Sequence, residues 1–164
     1  MSTDPLRLIE RHRSKGVLID TNILVLLVVG AFDTNAIGNH KRTKKFTSDN
    51  YAAAKLVVEH CGKVFTTPNI LTEVSNLASQ TSEPMKLGIL AGLAAGIATL
   101  NELYHTSNDL RQMDEFIRYG LTDVGILRAA REGYLVFTDD LRRYGYLENQ
   151  GLPAMNIGHF QYWV

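Results

Sequence analysis

Four acidic positions in this chain stand where predicted elements end: Asp20, Glu73, Asp123 and the Asp139-Asp140 pair. Asp20 follows the apolar run Val17-Leu18-Ile19 and precedes Thr21, Asn22 and a second apolar run, 23–29. A carboxylate at the end of a buried strand is held on a rigid edge, facing the crevice where α/β proteins bind ligands. Glu73 falls about one and a half turns into a helix opened by Pro68. Asp123 stands at a helix start, and Asp140 follows the strand Leu135-Val136-Phe137 by way of Thr138. In a parallel sheet, strand C-termini and the helix N-termini after them share one edge, so these residues can meet there.

Carboxylates gathered on one edge repel. Two unit charges about 4 Å apart oppose each other by roughly 4 kcal/mol at an effective dielectric of about 20. The cluster therefore needs a cation or retained protons, and all-oxygen donors favour Mg²⁺ or Mn²⁺ over zinc. One such ion could activate water while a second, about 3.5–4 Å away, steadies a leaving oxygen. The reaction class is phosphodiester hydrolysis. Taken singly, these acids read as helix caps or solvated charges, and Asp123 beside Thr122 is a good cap candidate. Asp20 is the exception, because the strand before it and the apolar run after it argue against a merely solvated role. The joint pattern carries the inference.

The elements that must position them alternate. A charged helical lead-in over residues 4–13 precedes the strand at Val17–Ile19, and 23–29 reads as a buried helix. A loop spans 30–45. Ser48 or Asp49 caps a helix to about His60, 63–66 is a strand, and Pro68 starts the helix of Glu73. An alanine- and glycine-rich helix covers 87–100, and a third strand is expected at 103–105. Asn108 caps a helix to about Arg118, and Thr122 or Asp123 begins another that Gly133 ends. A strand at 135–137, a short helix or turn over 141–148 and a last strand at 154–157 complete the pattern. Alternation of this kind predicts an α/β fold with a parallel sheet and helices on both faces.

The segments VLIDTNI (17–23), TPNILTEVSNL (67–77) and LTDVGILRAAREGYLVFTDD (121–140), with the short strand near 154–157, resemble a PIN-domain nuclease in kind and order over about 16–158. The resemblance implies a PIN-like three-layer sandwich whose central, mostly parallel sheet is flanked by helices. It also implies Mg²⁺ or Mn²⁺ at a carboxylate cluster and metal-dependent endoribonuclease activity. Carried over, the metal-binding and catalytic acids are Asp20, Glu73, Asp123 and Asp140, supported by Asn22, Thr138 and Asp139. The family's last motif, Ser or Thr, any residue, then Asp, gives Thr138 and Asp140, and the adjacent Asp139 could substitute.

The basic lead-in and the long stretch between Leu77 and Asp123 depart from the VapC-like toxins, the commonest bacterial members. A toxin role, an antitoxin partner and the RNA target therefore stay open. A DNA nuclease with the same site and a non-catalytic binding or scaffold module are the alternatives. Haloacid-dehalogenase phosphatases carry a second Asp where this chain has Asn22.

Seventeen basic and seventeen acidic side chains balance, so nucleic-acid affinity must rest on local patches. Candidates are Lys41, Arg42, Lys44 and Lys45, read either as a phosphate-gripping loop or as a mobile solvated one, and Arg142 and Arg143. The latter two could reach a phosphate or pair with Glu148 or the acidic cluster. The single cysteine, Cys61, excludes an intramolecular disulfide and reads as a core residue. No apolar run reaches the roughly 18 residues of a membrane span, and the expectation is a cytoplasmic protein. Gly88, Gly92 and Gly96 share one helix face, suited to close packing within the chain or in a homodimer. An aromatic tail over 159–164 ends the sequence, with Phe160, Tyr162 and Trp163 as candidates to cap the core or meet a partner.

Overall fold

Apolar triplets at two places far apart in sequence build the centre of the sheet. The computed structural model describes residues 4–160. Strand β1 (Val17–Ile19) and strand β4 (Leu135–Thr138) are buried along their whole lengths and lie side by side in parallel. Continuous apolar runs of this kind belong to strands covered on both faces. Three further strands complete the sheet: β2 (Val64–Thr66), β3 (Asn101–Glu102) and β5 (Ala154–Asn156), in the order β3-β2-β1-β4-β5, every pair parallel. The helices that flank it are α1 (Pro5–His12), α2 (Thr21–Phe32), α3 (Ser48–His60), α4 (Pro68–Ala78), α5 (Met85–Ile97), α6 (Ser107–Leu110), α7 (Phe116–Tyr119), α8 (Leu121–Arg131) and α9 (Leu141–Asn149). The result is the α/β fold that the alternation predicts, a wholly parallel sheet flanked by helices as in a three-layer sandwich.

The chain builds outward from β1 to β2 and β3, then crosses back to β4 and β5. The order reverses between β1 and β4, and the crevice beyond their C-terminal ends is where sheets of this kind bind ligands. Ile19 pairs with Phe137 in that ladder. Asp20 and Thr138 therefore come next, at the mouth of the crevice.

Helix α2 is apolar around most of its circumference and packs against α3, α4 and α5, as a buried helix must. Asp20 caps it, its side chain accepting from Thr21 N–H. Helix α8 lies on β4, and α9 lies on β4 and β5. The lead-in is no appendage: Ile9 of α1 is buried and the helix packs on α3. Phe160 is buried edge-on against Phe137, at a centroid distance of 5.7 Å. Tyr162 and Trp163 lie outside the described residues. Among the described residues no helix is long and apolar enough to cross a membrane.

Several local expectations are corrected. The third strand lies at Asn101–Glu102 rather than 103–105, and both its residues are exposed. A two-residue edge strand of polar side chains leaves no alternation to read. The helix expected over 108–118 breaks into α6 and α7, with Thr106, not Asn108, capping the first. Of the apolar side chains there only Leu110 is buried, while Ile117 is 93% exposed, so no continuous apolar face holds one long helix together. Thr47, through a capping box with Asn50, starts α3 in place of Ser48 or Asp49.

The segment 30–45 is built of turns, and its basic side chains Lys41, Arg42, Lys44 and Lys45 are exposed. Helix α2 runs on to Phe32, a 3-10 turn follows at Thr34–Ala36, and hydrogen-bonded turns bury His40, Thr43 and Phe46. The glycine face of α5 divides. A Cβ on Gly88 would lie 2.2 Å from the Phe32 ring, whereas Gly92 and Gly96 face open space.

Candidate metal and nuclease site

Asp20 is the most deeply placed of the predicted acids, at 3% exposure. Its Oδ1 accepts from Thr21 N–H at 2.7 Å and its Oδ2 accepts from the Thr138 hydroxyl at 2.5 Å. The guanidinium of Arg143 also donates to Oδ2. Burial pushes the Asp20 carboxyl above its ordinary range; Arg143, Thr138 and the Thr21 amide pull the other way, and Asp139 adds to the rise.

Asp123 sits in the first turn of α8 and accepts from Arg143 Nη2 at 2.5 Å. It does not cap the helix. Gly120, at φ +80°, takes the turn into α8, a conformation open to glycine, and so leaves the Asp123 carboxylate free for the site. Burial alone would lower the pKa of Arg143, but the carboxylates of Asp20 and Asp123 more than offset that and hold it charged.

Glu73, exposed on α4, joins through two hydroxyls: Thr122 donates to Oε1 at 2.6 Å and Thr21 to Oε2 at 3.3 Å. Each hydroxyl is the sequence neighbour of another site acid, Thr21 of Asp20 and Thr122 of Asp123. That adjacency was the available signal for Thr122 as a site residue, and reading it as a cap missed it.

The Asp139-Asp140 pair separates. Asp139 accepts from Asn22 Nδ2 at 3.2 Å and from Lys45 Nζ at 2.5 Å. Asp140 caps α9, its Oδ1 accepting from Arg142 N–H at 2.8 Å and Arg143 N–H at 3.2 Å. The Thr138 hydroxyl serves both sides, donating to Asp20 and accepting from Asp140 N–H at 3.0 Å. Asp139 is thus the acid tied to Asn22, while the register residue Asp140 has one oxygen committed to a helix cap.

Of the basic candidates, Lys45 and Arg143 stand on the acids themselves. Arg42 instead donates to Gln80 Oε1 at 2.7 Å. Lys41, Lys44 and Arg142 are exposed and form no ion pair among the described residues. As the side chains stand, no three Asp, Glu, His or Cys residues among those described converge to hold a metal ion. The Arg143 guanidinium occupies the space between Asp20 and Asp123.

No protein-family model matches this chain, and no curated protein or solved structure matches it either.

Proposed function

We propose that this protein is a metal-dependent nuclease of the PIN type that hydrolyses RNA phosphodiester bonds at the crevice between β1 and β4. The observation that carries the reading is the linkage of Asp20, Glu73 and Asp123, from the end of β1, from α4 and from α8, through Thr21, Thr122 and Arg143 beside the point where the strand order reverses.

The donor chemistry fits a hard divalent cation. Every side-chain donor is a carboxylate, hydroxyl or amide, and the edge already draws in two protein cations, Arg143 and Lys45, to offset its charge. Asp20, Glu73, Asp123 and Asp139 or Asp140 are the residues that would hold Mg²⁺ or Mn²⁺. When bound, the ion supplies Lewis acidity toward the phosphodiester and makes water a better nucleophile at neutral pH.

The chain's own groups orient the reaction. Thr138 and Thr21 fix the Asp20 carboxylate, Asn22 fixes Asp139, and the hydroxyls of Thr21 and Thr122 fix Glu73. Asp123 Oδ2 and Asp140 Oδ2 accept no hydrogen bond among the described residues, so either is open to take the proton of an attacking water.

The test is digestion of mixed RNA and, in parallel, single-stranded DNA with Mg²⁺ or Mn²⁺, comparing wild type with Asp20→Asn. Loss of RNA cleavage in the variant supports the reading. Equal cleavage by both proteins sinks it, and cleavage of DNA alone moves the substrate to DNA. A second reading, a non-catalytic binding module, draws on the two protein cations standing on the acids; it predicts no Mn²⁺ uptake in calorimetry.

A further inference from the structure

A groove of about 710 Å³ opens beside the acidic edge, between α7, α8 and α9. Asp123, Asp140 and Arg143 line the end that meets the site. Its floor is apolar, formed by Ile126, Leu127 and Leu147, all buried. Tyr119 and Tyr146 wall it, edge to face at a centroid distance of 5.7 Å. Tyr146 is held there by donating to Glu115 Oε1 at 3.1 Å.

Two more cations stand on the rim, Arg118 and Arg142. Both are exposed and neither forms an ion pair among the described residues. Arg118 lies over the Tyr119 ring, 5.2 Å from its centroid. Gly145, within α9, lines the groove, and a Cβ placed on it would meet nothing within 4 Å.

We propose that this groove is a nucleotide subsite for the single strand being cleaved, one base lying in the apolar cleft against the tyrosines and the adjoining phosphates on Arg118 and Arg142. The inference rests on the nuclease reading and adds the place where substrate is gripped. Aromatic walls flanked by unpaired cations are what sequence-tolerant single-strand binding uses. The volume lies in the range of small-ligand sites, about 300–1,000 Å³. Continuity with Asp123 and Asp140 puts a strand held there next to the acids. That continuity favours nucleic acid over an acidic peptide, which the rim charges alone would also accept.

The test uses fluorescence anisotropy with a labelled, cleavage-resistant 2′-O-methyl oligonucleotide of mixed sequence, in EDTA, so that neither metal nor turnover enters. The double variant Arg118→Gln/Arg142→Gln is expected to bind about tenfold more weakly. Its log–log salt slope should be shallower by about 1.4, roughly 0.7 for each phosphate contact on a single strand. Gly145→Trp, which fills the groove from an open position, should weaken binding to a similar degree. The control Arg7→Gln/Arg11→Gln removes two charges from α1 and should change affinity less than twofold or so. If wild type binds and the groove variants bind equally well, the subsite is wrong and the nuclease reading stands. If wild type fails to bind any oligonucleotide, the subsite falls, and RNA digestion with Mg²⁺ or Mn²⁺ decides the nuclease reading separately.

Discussion

Arg143 and Asp20, 123 positions apart, meet as an ion pair whose side chains are only 18% and 5% exposed. The same guanidinium reaches Asp123. One residue of α9 thus ties the end of β1 to the start of α8, and in doing so it supplies the positive charge that the acids need. A divalent cation drawn to the same carboxylates must displace it.

Removing that guanidinium should therefore act in opposite directions on stability and on metal binding. Arg143→Gln leaves Asp20 buried without a cation, and in metal-free buffer the variant should be less stable by about 3 kcal/mol. Its Mn²⁺ affinity, measured by calorimetry, should tighten by about tenfold, since the ion no longer competes with a tethered charge. Saturating Mn²⁺ should then raise the melting temperature of the variant more than that of wild type. Equal or weaker Mn²⁺ binding by the variant would show that Arg143 does not compete for the acids.

The buried carboxyl of Asp20 makes stability depend on pH in a defined direction. Its folded pKa is raised, chiefly by burial. The folded state therefore holds the proton more tightly than the unfolded chain, whose carboxyl titrates near about 3.9. The contribution of Asp20 is most favourable below that value, declines as pH rises toward the folded pKa, and is level above it. Asparagine does not titrate. In EDTA, the melting temperature of Asp20→Asn minus that of wild type should grow more positive as pH is raised from about 4. A difference that shrinks as pH rises means that Arg143 and Thr138 outweigh burial.

The sheet and its key carboxylate were legible because their signals are local. Val17–Ile19 and Leu135–Phe137 read as buried strands, and an acid directly after the first then lies at the sheet edge. Arg143 was different. Its sequence position beside Asp140 left a phosphate, Glu148 and the acidic cluster as rival partners, and only the packing of α9 on β4 and β5 turns it toward Asp20. Asp123 reads as a site acid in the joint pattern but, taken alone, equally as a cap, because the positive φ that lets Gly120 turn the chain into α8 leaves no mark in side-chain pattern. The groove residues Arg118, Tyr119 and Tyr146 come from α7 and α9, which no periodicity connects.

His40 carries the clearest prediction about the basic segment. It is 1% exposed, its Nε2 lies 3.0 Å from Ala78 O, and its Nδ1 accepts from Arg42 N–H at 3.1 Å. An acceptor at Nδ1 fixes the proton on Nε2, which donates to the carbonyl. The histidine anchors the turns that deliver Lys45 to Asp139. His40→Ala leaves Ala78 O and Arg42 N–H without these partners and opens a void, so it should destabilise by about 2–4 kcal/mol in denaturant unfolding. Exposed Lys41→Ala should stay within about 0.5 kcal/mol of wild type. A mild effect at His40 would return the segment to a loosely held loop.

Two helical glycines with opposite surroundings test how closely the helices around α2 approach one another. A Cβ on Gly30, within α2, would lie 2.5 Å from ring carbons of Tyr51 on α3. A Cβ on Gly92, within α5, meets nothing within 4 Å. Alanine is favoured over glycine in a helix interior by about 0.5–1 kcal/mol, and at Gly92 nothing opposes that gain. At Gly30 the partly buried ring must move, and crowding of this kind costs about 1–3 kcal/mol, which exceeds the helical gain. Gly92→Ala should therefore raise the unfolding midpoint and Gly30→Ala lower it. Asp20 caps the other end of the same helix, α2. If Gly30→Ala is stabilising, Tyr51 gives way at little cost and the α2–α3 contact is looser than the distances require.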